Sequence, residues 1–494
     1  MNFRQYCTIV TLALMNGMTA GVPTHAQTLQ EAVQQMVATN PDVRSVAHNR
    51  LARDEEVRQA RSGYFPTFDV EAGKGRDYVD KPIDGDLDPQ QVRLGLRQNL
   101  FAGLSTTNEV GRQKARVKSE AFVVRSTADN TALKAVNVYL EVLKNQAIVD
   151  LAKENLTLHQ RIADQIKLRS ESGVDRLADM DQIQSRLNLA HSNLVVTEQN
   201  LIDAETNYNA VIGSPPMALN RPDSPTDLIP ATRDEAETIA LANHPQLKSA
   251  AADLEARRKQ DEVAKSPFMP IIDLEVDKIW EEEITYSTSF LDNEREDLRI
   301  FLRFRYNLFN GWKDEARKTE TVHLINEAQE IKNHTHRQVV ESIRLSWQAH
   351  EASKKKINYL KQRLQFAAST ASAYTKQWNI GQRTLLDVLD AEAERIDSAR
   401  QSVTAEYEGL YAQYRILNGI GKLVPSLNLH WPTEGTVEDE NNGGAPTASA
   451  SKKSEVRRVA VASTAGPEPV ESPAVSTSST SRNSSLTFRP MTMR

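Results

Sequence analysis

The sequence predicts a mainly α-helical chain that carries a β-barrel part and is built from one unit written twice. Three features predict it. A unit of roughly 190 residues recurs along the chain. Four segments of about ten residues alternate apolar and polar side chains. Between them run helical stretches far longer than an ordinary globular domain uses.

Composition narrows the field. The chain has 494 residues, 39% hydrophobic and 26% charged, with a net charge of −6. It lacks any apolar run of about 18 residues, which excludes a polytopic helical membrane protein. The mild acidity argues against a nucleic-acid binder. Gly and Pro, at 20 each, are scarce, as suits long regular elements.

Residues 1–26 read as a secretory signal peptide. Arg4 gives the positive start, Thr8 to Met15 a short apolar stretch, and Thr24-His25-Ala26 a small-residue end before Gln27. Cys7, the one cysteine, lies inside it. The mature chain is therefore expected to have no disulfide, no Cys nucleophile, no Cys-ligated metal and no lipid-attachment cysteine.

The repeat follows. Thr28-Leu29-Gln30-Glu31-Ala32 matches Thr232-Arg233-Asp234-Glu235-Ala236, and at the same shift Asn40-Pro41 falls on His244-Pro245 and Asp69 on Asp273. After a length change between about 73 and 95, Leu100-Phe101-Ala102-Gly103 falls on Leu308-Phe309-Asn310-Gly311. Gly173 then falls on Gly381, Asp179 on Asp387 and Ile212-Gly213 on Ile420-Gly421. The expected organisation is a first repeat over 27–216, a linker over 217–231, a second repeat over 232–424 and a C-terminal segment over 425–434. The Ser/Thr/Pro/Ala-rich tail, 435–494, has too little apolar surface to offset chain entropy and is expected to be disordered.

Each repeat reads in the same order. A short helix ends near Asn40-Pro41 or His244-Pro245, and a second runs to about Ser62 or Lys265. A strand, a loop and a second strand come next. A very long helix over 104–170 or 312–378, a tight turn at Gly173 or Gly381, and a last helix to Val211 or Leu417 complete the unit.

In the strands, Phe68, Val70 and Ala72 alternate with Asp69 and Glu71, and Val92, Leu94, Leu96 and Leu100 alternate with polar residues. Ile272, Leu274, Val276 and Trp280 oppose Asp273, Glu275 and Asp277. Leu298, Ile300, Leu302, Phe304, Tyr306 and Leu308 oppose Arg299, Arg303, Arg305 and Asn307, with Phe301 the exception. That is the pattern of membrane strands, apolar toward lipid and charged toward water. Four strands cannot close a barrel, and open edges are not tolerated in lipid. Other copies must complete the sheet. Three would give twelve strands, while dimers and tetramers stay open on the strand count alone.

The helices carry coiled-coil seams, such as Leu133, Val136, Leu140, Leu143, Ala147 and Leu151, or Ile396, Ala399, Val403, Tyr407, Leu410, Tyr414 and Leu417. The 104–170 stretch is about 100 Å long at ~1.5 Å per residue, and helices over 42–62 and 177–212, stacked end to end, would reach about 85 Å.

On these grounds, and on the turn segment Gly381-Gln382-Arg383-Thr384-Leu385-Leu386-Asp387-Val388-Leu389-Asp390-Ala391, residues 28–424 resemble the TolC-type outer-membrane factors. The resemblance implies a trimeric channel-tunnel, with a 12-stranded outer-membrane β-barrel on a periplasmic α-helical barrel that tapers to a closed end. It implies three kinds of partner: a homotrimer's own copies, a periplasmic membrane-fusion adaptor and an inner-membrane transporter, the ABC type favoured. The barrel would meet outer-membrane lipid. The missing lipidation cysteine places the chain nearer the type I secretion branch than the lipid-anchored multidrug-efflux branch.

The resemblance also assigns residues. Asp387 and Asp390 match an acidic pair that rings the periplasmic aperture. As i and i+3 they share a helix face, and three copies would bring six carboxylates together. Thr384-x-x-Asp387 also reads as a capping box. The first repeat keeps Asp179 but has Gln182 where the second has Asp390, so the acidic pair belongs to one hairpin. Trp378, Arg383 and Asp179 match a closed-state latch, with Trp378 in place of a tyrosine. Gly173 and Gly381 mark the hairpin turns.

An enzyme reading finds no phosphate loop, HExxH, GxSxG or cysteine, and no cofactor or metal is expected; His334 and His336 point to different helix faces. The rival from another class is a soluble periplasmic coiled-coil adaptor or scaffold, which would stay in aqueous buffer where a barrel fractionates with outer membranes.

Overall fold

A computed structural model describes residues 26–79, 85–171, 177–282 and 294–437. Residues 1–25 of the expected signal peptide, the turn residue Gly173 and the tail beyond Val437 lie outside them. In chain order the elements are α1 (Leu29–Thr39), α2 (Pro41–Ser62), β1 (Thr67–Lys74), β2 (Asp77–Val79), β3 (Gly85–Leu87), β4 (Gln90–Ala102), α3 (Ser105–Glu171) and α4 (Leu177–Ile212). The second half repeats the plan with α5 (Arg233–Asn243), α6 (Pro245–Ala264), β5 (Ile271–Glu282), β6 (Glu294–Arg305), α7 (Lys313–Asn379) and α8 (Leu385–Gly419). A short α9 (Leu423–Ser426) and a 3-10 turn (Thr433–Gly435) close the described chain.

The repeated Asn40-Pro41 and His244-Pro245 motifs are helix starts. Asn40 accepts from the Asp42 amide at 2.9 Å, and His244 Nδ1 accepts from the Gln246 amide at 3.3 Å, each with Pro at the first helical position. A histidine can accept this way only when neutral. Burial pushes His244 down to about 4, which keeps it so. Asn40 also donates to the Val211 carbonyl at 3.2 Å, joining the end of α4 to the start of α2. The two shorter helices thus stack end to end along α3. In the second repeat Gly421, at φ +70°, lies so close to Pro245 that a Cβ would come within 2.7 Å of its ring.

The strand-to-helix junctions explain another repeated motif. Gly103-Leu104 and Gly311-Trp312 are successive left-handed residues, with φ of 60°, 63°, 70° and 66°. Glycine suits the first of each pair, and a Cβ on Gly103 would lie 2.5 Å from the Ser266 carbonyl.

The main core lies where α1, α3, α4, α5, α7 and α8 meet. Met36, Tyr139, Tyr208, Ile212, Ile343, Ile416, Leu417 and Leu423 are fully buried there. The Tyr139 hydroxyl reaches the carbonyls of Gln27 at 2.8 Å and Asn220 at 2.6 Å, tying the chain start to the linker.

Three expectations change. The loop between the first two strands contains the small hairpin β2–β3. The last strand ends at Arg305, leaving Tyr306 and Leu308 outside it. The C-terminal segment is packed as far as Val437, against Ala121 and Phe122, so the tail cannot begin at 435. The seams differ in detail as well. Alanines 128, 132 and 135 sit deepest on α3, while Leu133 and Leu143 are only partly buried, because α3 meets neighbours on several faces at once.

Asp129 of α3 is buried. Its Oδ1 accepts the Val424 amide at 3.0 Å, while Oδ2 has no hydrogen-bond partner among the described residues. Burial raises its carboxyl to about 8. The folded chain therefore holds a proton that an unfolded chain would release near pH ~4. The stabilisation is present in acid and lost as pH rises through about 8. Asp129→Asn keeps the acceptor and cannot ionise, so between about pH 4 and 8 its unfolding temperature should fall less steeply with rising pH than the parent's. Parallel pH profiles for the two proteins would refute this account.

Candidate functional site

Two regions gather the residues singled out above: the four-stranded sheet and the α7–α8 helical tip. The sheet has the order β1-β4-β5-β6, all antiparallel. Its outer strands, β1 and β6, each have one edge with no strand beside it among the described residues.

Register sorts the side chains onto two faces. Phe68, Leu96, Val276 and Ile300 form one cross-strand row of the apolar face. That face is uncovered: Phe68 is 66% exposed and Leu302 68%. A bulge between Asn99 and Phe101 places Phe101, rather than Leu100, opposite Ile272. Lys278 stands on this face opposite Leu94 and Leu298. Its ammonium pairs with Glu296, one row nearer the sheet's far end, and lies 5.3 Å from the centre of the Trp280 ring. This is the snorkelling geometry of a cation leaving apolar surroundings.

The opposite face is a lattice of ion pairs. Arg303 meets Glu275 at 2.7 Å, Arg93 meets Asp277 at 2.9 Å, and Asp297 meets Arg299 at 2.8 Å and Arg295 at 2.5 Å. Asp273 is fully buried. It takes Arg305 at 2.6 Å, Arg97 at 2.8 Å and the Asn99 amide at 2.8 Å. Phe301 stands on this charged face opposite Glu275. No helix among the described residues is long and apolar enough to cross a membrane. Exposed aromatics, Tyr64, Phe65, Tyr306, Phe309 and Trp312, flank the strands where they meet the helices.

At the tip, Gly381 turns the chain with φ +78°. The capping box forms: Thr384 Oγ1 accepts the Asp387 amide at 3.3 Å, and Asp387 Oδ2 accepts the Thr384 amide at 3.1 Å. The Thr384 hydroxyl and amide bonds, with Arg383 3.9 Å away, hold the Asp387 carboxyl below its ordinary range. Asp390 is placed differently. It pairs across the hairpins with Arg186 of α4 at 2.9 Å.

Arg383 donates to Gln377 at 3.1 Å and stacks on Tyr374, 4.2 Å from the ring centre. Asp179, in the first turn of α4, is not among its partners, so the expected Arg383–Asp179 pair does not form within the chain. Trp378 is a packing residue here. It is 6% exposed, shares a cluster with Ile162, Ile166, Ile183 and Leu389, and has Arg169 5.3 Å over its ring. Sequence reasoning missed Arg186, Tyr374 and Gln377. Arg186 lies seven residues after Asp179, two turns along the same face, and Tyr374 lies four before Trp378, so helical spacing places both on the faces already marked without giving their partners.

The sequence model of the family described as "Outer membrane efflux protein" matches residues 32–214 and 238–422. The chain is 25% identical to the outer membrane protein TolC of Salmonella enteritidis, over 81% of this chain and 82% of that protein. It is 21% identical to the alkaline protease secretion protein AprF of Pseudomonas aeruginosa, over 67% and 70%. The fold matches the crystal structure of CusC with a TM-score of 0.70 at 13% identity, covering 79% of this chain and 91% of that one.

Ile300 and Phe301 are neighbours on opposite faces, which makes them a direct test. Ile300→Lys should cost about 2–4 kcal/mol in a bilayer and block assembly into membranes, while Phe301→Lys should be tolerated. Heat resistance in detergent and membrane fractionation read the difference, and equal behaviour of the two variants would contradict the face assignment.

Proposed function

The chain belongs to the outer membrane efflux protein family, and from that premise we propose that three copies form one passive conduit for type I protein secretion. It is an outer-membrane efflux or secretion channel protein with most of its mass in the periplasm, and it is not an enzyme. The observation that calls for an assembly of copies is the sheet, with four strands, two open edges and an uncovered apolar face, and the number three rests on the family likeness. Three copies supply twelve strands, an even number that closes with no edge left. Exposed Leu189, Val195, Val196 and Ile202 on α4 offer apolar contacts for the same assembly.

In this reading the helical tip docks on a periplasmic adaptor and an inner-membrane transporter of the ABC type, which supplies the energy. The secretion assignment is supported by the absence of a lipid-attachment cysteine after residue 26 and by the likeness to a protease secretion protein. Multidrug efflux is the second reading, favoured by the family's own description. Reconstitution with the adaptor and transporter separates them: export of a polypeptide supports secretion, whereas drug export alone assigns the chain to efflux. Recovery of a folded monomer in aqueous buffer would end the channel reading altogether.

The tip would gate the conduit. Asp387 and Asp390 of three copies ring the aperture, and Arg383 reaches Asp179 of a neighbouring copy, since the pair is not made within one. An exposed ion pair stabilises by under about 1 kcal/mol, so closure would rest on several pairs acting together. Asp179→Ala or Arg383→Ser should raise single-channel conductance in planar bilayers, and unchanged currents in both would remove the latch. Replacing Asp387 and Asp390 together by Ala should weaken cation preference, while retained selectivity would leave Asp387 as a helix cap alone.

A further inference from the structure

The two aspartates of the α8 start are answered in different ways. Asp387 accepts from the amide and hydroxyl of its own cap residue, Thr384, and Arg383 stands off at 3.9 Å. Arg383 gives its hydrogen bond to Gln377 and its face to Tyr374. Asp390 lies one turn further into α8. Its Oδ1 accepts directly from Arg186 Nη2 of the other hairpin at 2.9 Å, a charge-assisted contact.

Arg186 has no competing acid among the described residues. A groove of about 380 Å³ beside it, between α3, α4 and α8, is bordered by one carboxylate, Asp397. Asp397 is already held by Arg400 at 3.2 Å and Arg363 at 3.5 Å. The duplication does not produce the pair either. At the shift that carries Asp179 onto Asp387, Asp390 corresponds to Gln182 and Arg186 to Glu394. An amide and an acid cannot form an ion pair, so the contact belongs to one seam only. Packing closes that seam from beneath, because Ile183, one turn before Arg186, and Leu389, next to Asp390, are fully buried in the tip cluster. A second ion pair joins the hairpins further along α8, from Arg395 to Glu154 of α3 at 3.1 Å.

We propose that Arg186 determines the ion preference of the aperture by cancelling the charge of Asp390. The inference rests on the reading above in which Asp387 and Asp390 ring the pore of a conduit. A charge cancelled at hydrogen-bond distance leaves only a dipole, whose field falls off faster than that of a lone charge and is screened by salt within about 8 Å. Each closed copy then presents the carboxylate of Asp387 alone, so three copies offer a passing cation three carboxylates in place of six. The second three are uncovered when α4 and α8 part and Arg186 leaves with the first hairpin. Preference for small inorganic cations is thereby tied to the opening of this seam.

The test is planar-bilayer recording of the full chain under a potassium chloride gradient. Arg186→Gln should raise the potassium-over-chloride permeability ratio about threefold, the weight of one uncancelled carboxylate on a cation ~6 Å away in water. Asp390→Asn, which strands the guanidinium, should lower the ratio. The two substitutions together remove one charge of each sign and should return the ratio to the parent's value, and Arg186→Lys alone should preserve it. Glu154→Gln cuts the other ion pair between the hairpins and should leave the ratio unchanged. A shift there equal to that of Arg186→Gln would mean that the ratio follows loosening of the hairpins and not charge, and would overturn the proposal. An unchanged ratio in Arg186→Gln overturns it as well, and Asp387→Asn then tells which claim has failed. If Asp387→Asn lowers the ratio, the aperture reading stands and Arg186 has no part in selectivity. If Asp387→Asn also changes nothing, the aspartates do not line the pore and both readings fall.

Discussion

The backbone groups along the free edges of β1 and β6 constrain everything else in the molecule. Water satisfies such groups at an exposed edge. A hydrocarbon phase does not, and each unpaired amide or carbonyl there costs several kcal/mol. The side chains of this sheet leave little choice of surroundings, because one face is apolar apart from the Lys278–Glu296 pair and the other is a set of crossed ion pairs. Lipid on one side and water on the other accommodate both faces, but only if the edges find strands to pair with. The duplication follows the same logic. Each repeat contributes a two-stranded hairpin, and the β4–β5 pairing joins the two hairpins into one unit before any other copy is involved.

The helices answer a second constraint, which is length. A helix of 67 residues cannot be covered by one shorter neighbour, and the chain uses two placed in line. Asn40 makes that joint work by acting in two directions: its side-chain oxygen starts α2, and its side-chain nitrogen holds the last turn of α4. The second repeat starts the corresponding helix with a histidine, which serves as an acceptor only while it carries no charge. Burial of His244 secures that state across the neutral range.

Much of this was legible in the sequence, for reasons that differ by element. The long helices and the strands show their period directly, and their limits fall within a few residues of those read from Leu104, Trp312, Phe68 and Leu298. The repeated glycines marked places where the backbone must turn left-handed, although the sequence alone did not say why Gly103 and Gly311 recur. The tip was harder. Asp387 was legible because a cap involves residues three apart. The Arg186–Asp390 pair was not, because it joins positions 204 residues apart on different hairpins. Trp378 looked like a latch residue by position, but what surrounds a side chain depends on three helices at once. The bulge at Asn99 and the Lys278–Glu296 pair on the apolar face likewise arise from strand pairing, which a local pattern does not contain.

The charged face of the sheet has one more consequence. Its arginines and carboxylates are shared out among one another: Asp273 between Arg97 and Arg305, Asp297 between Arg295 and Arg299. A wall made of interlocked opposite charges has little long-range field, since most of its charges are answered within a few ångströms. Such a surface is wet and sticky at very short range yet nearly blind to the sign of whatever slides past.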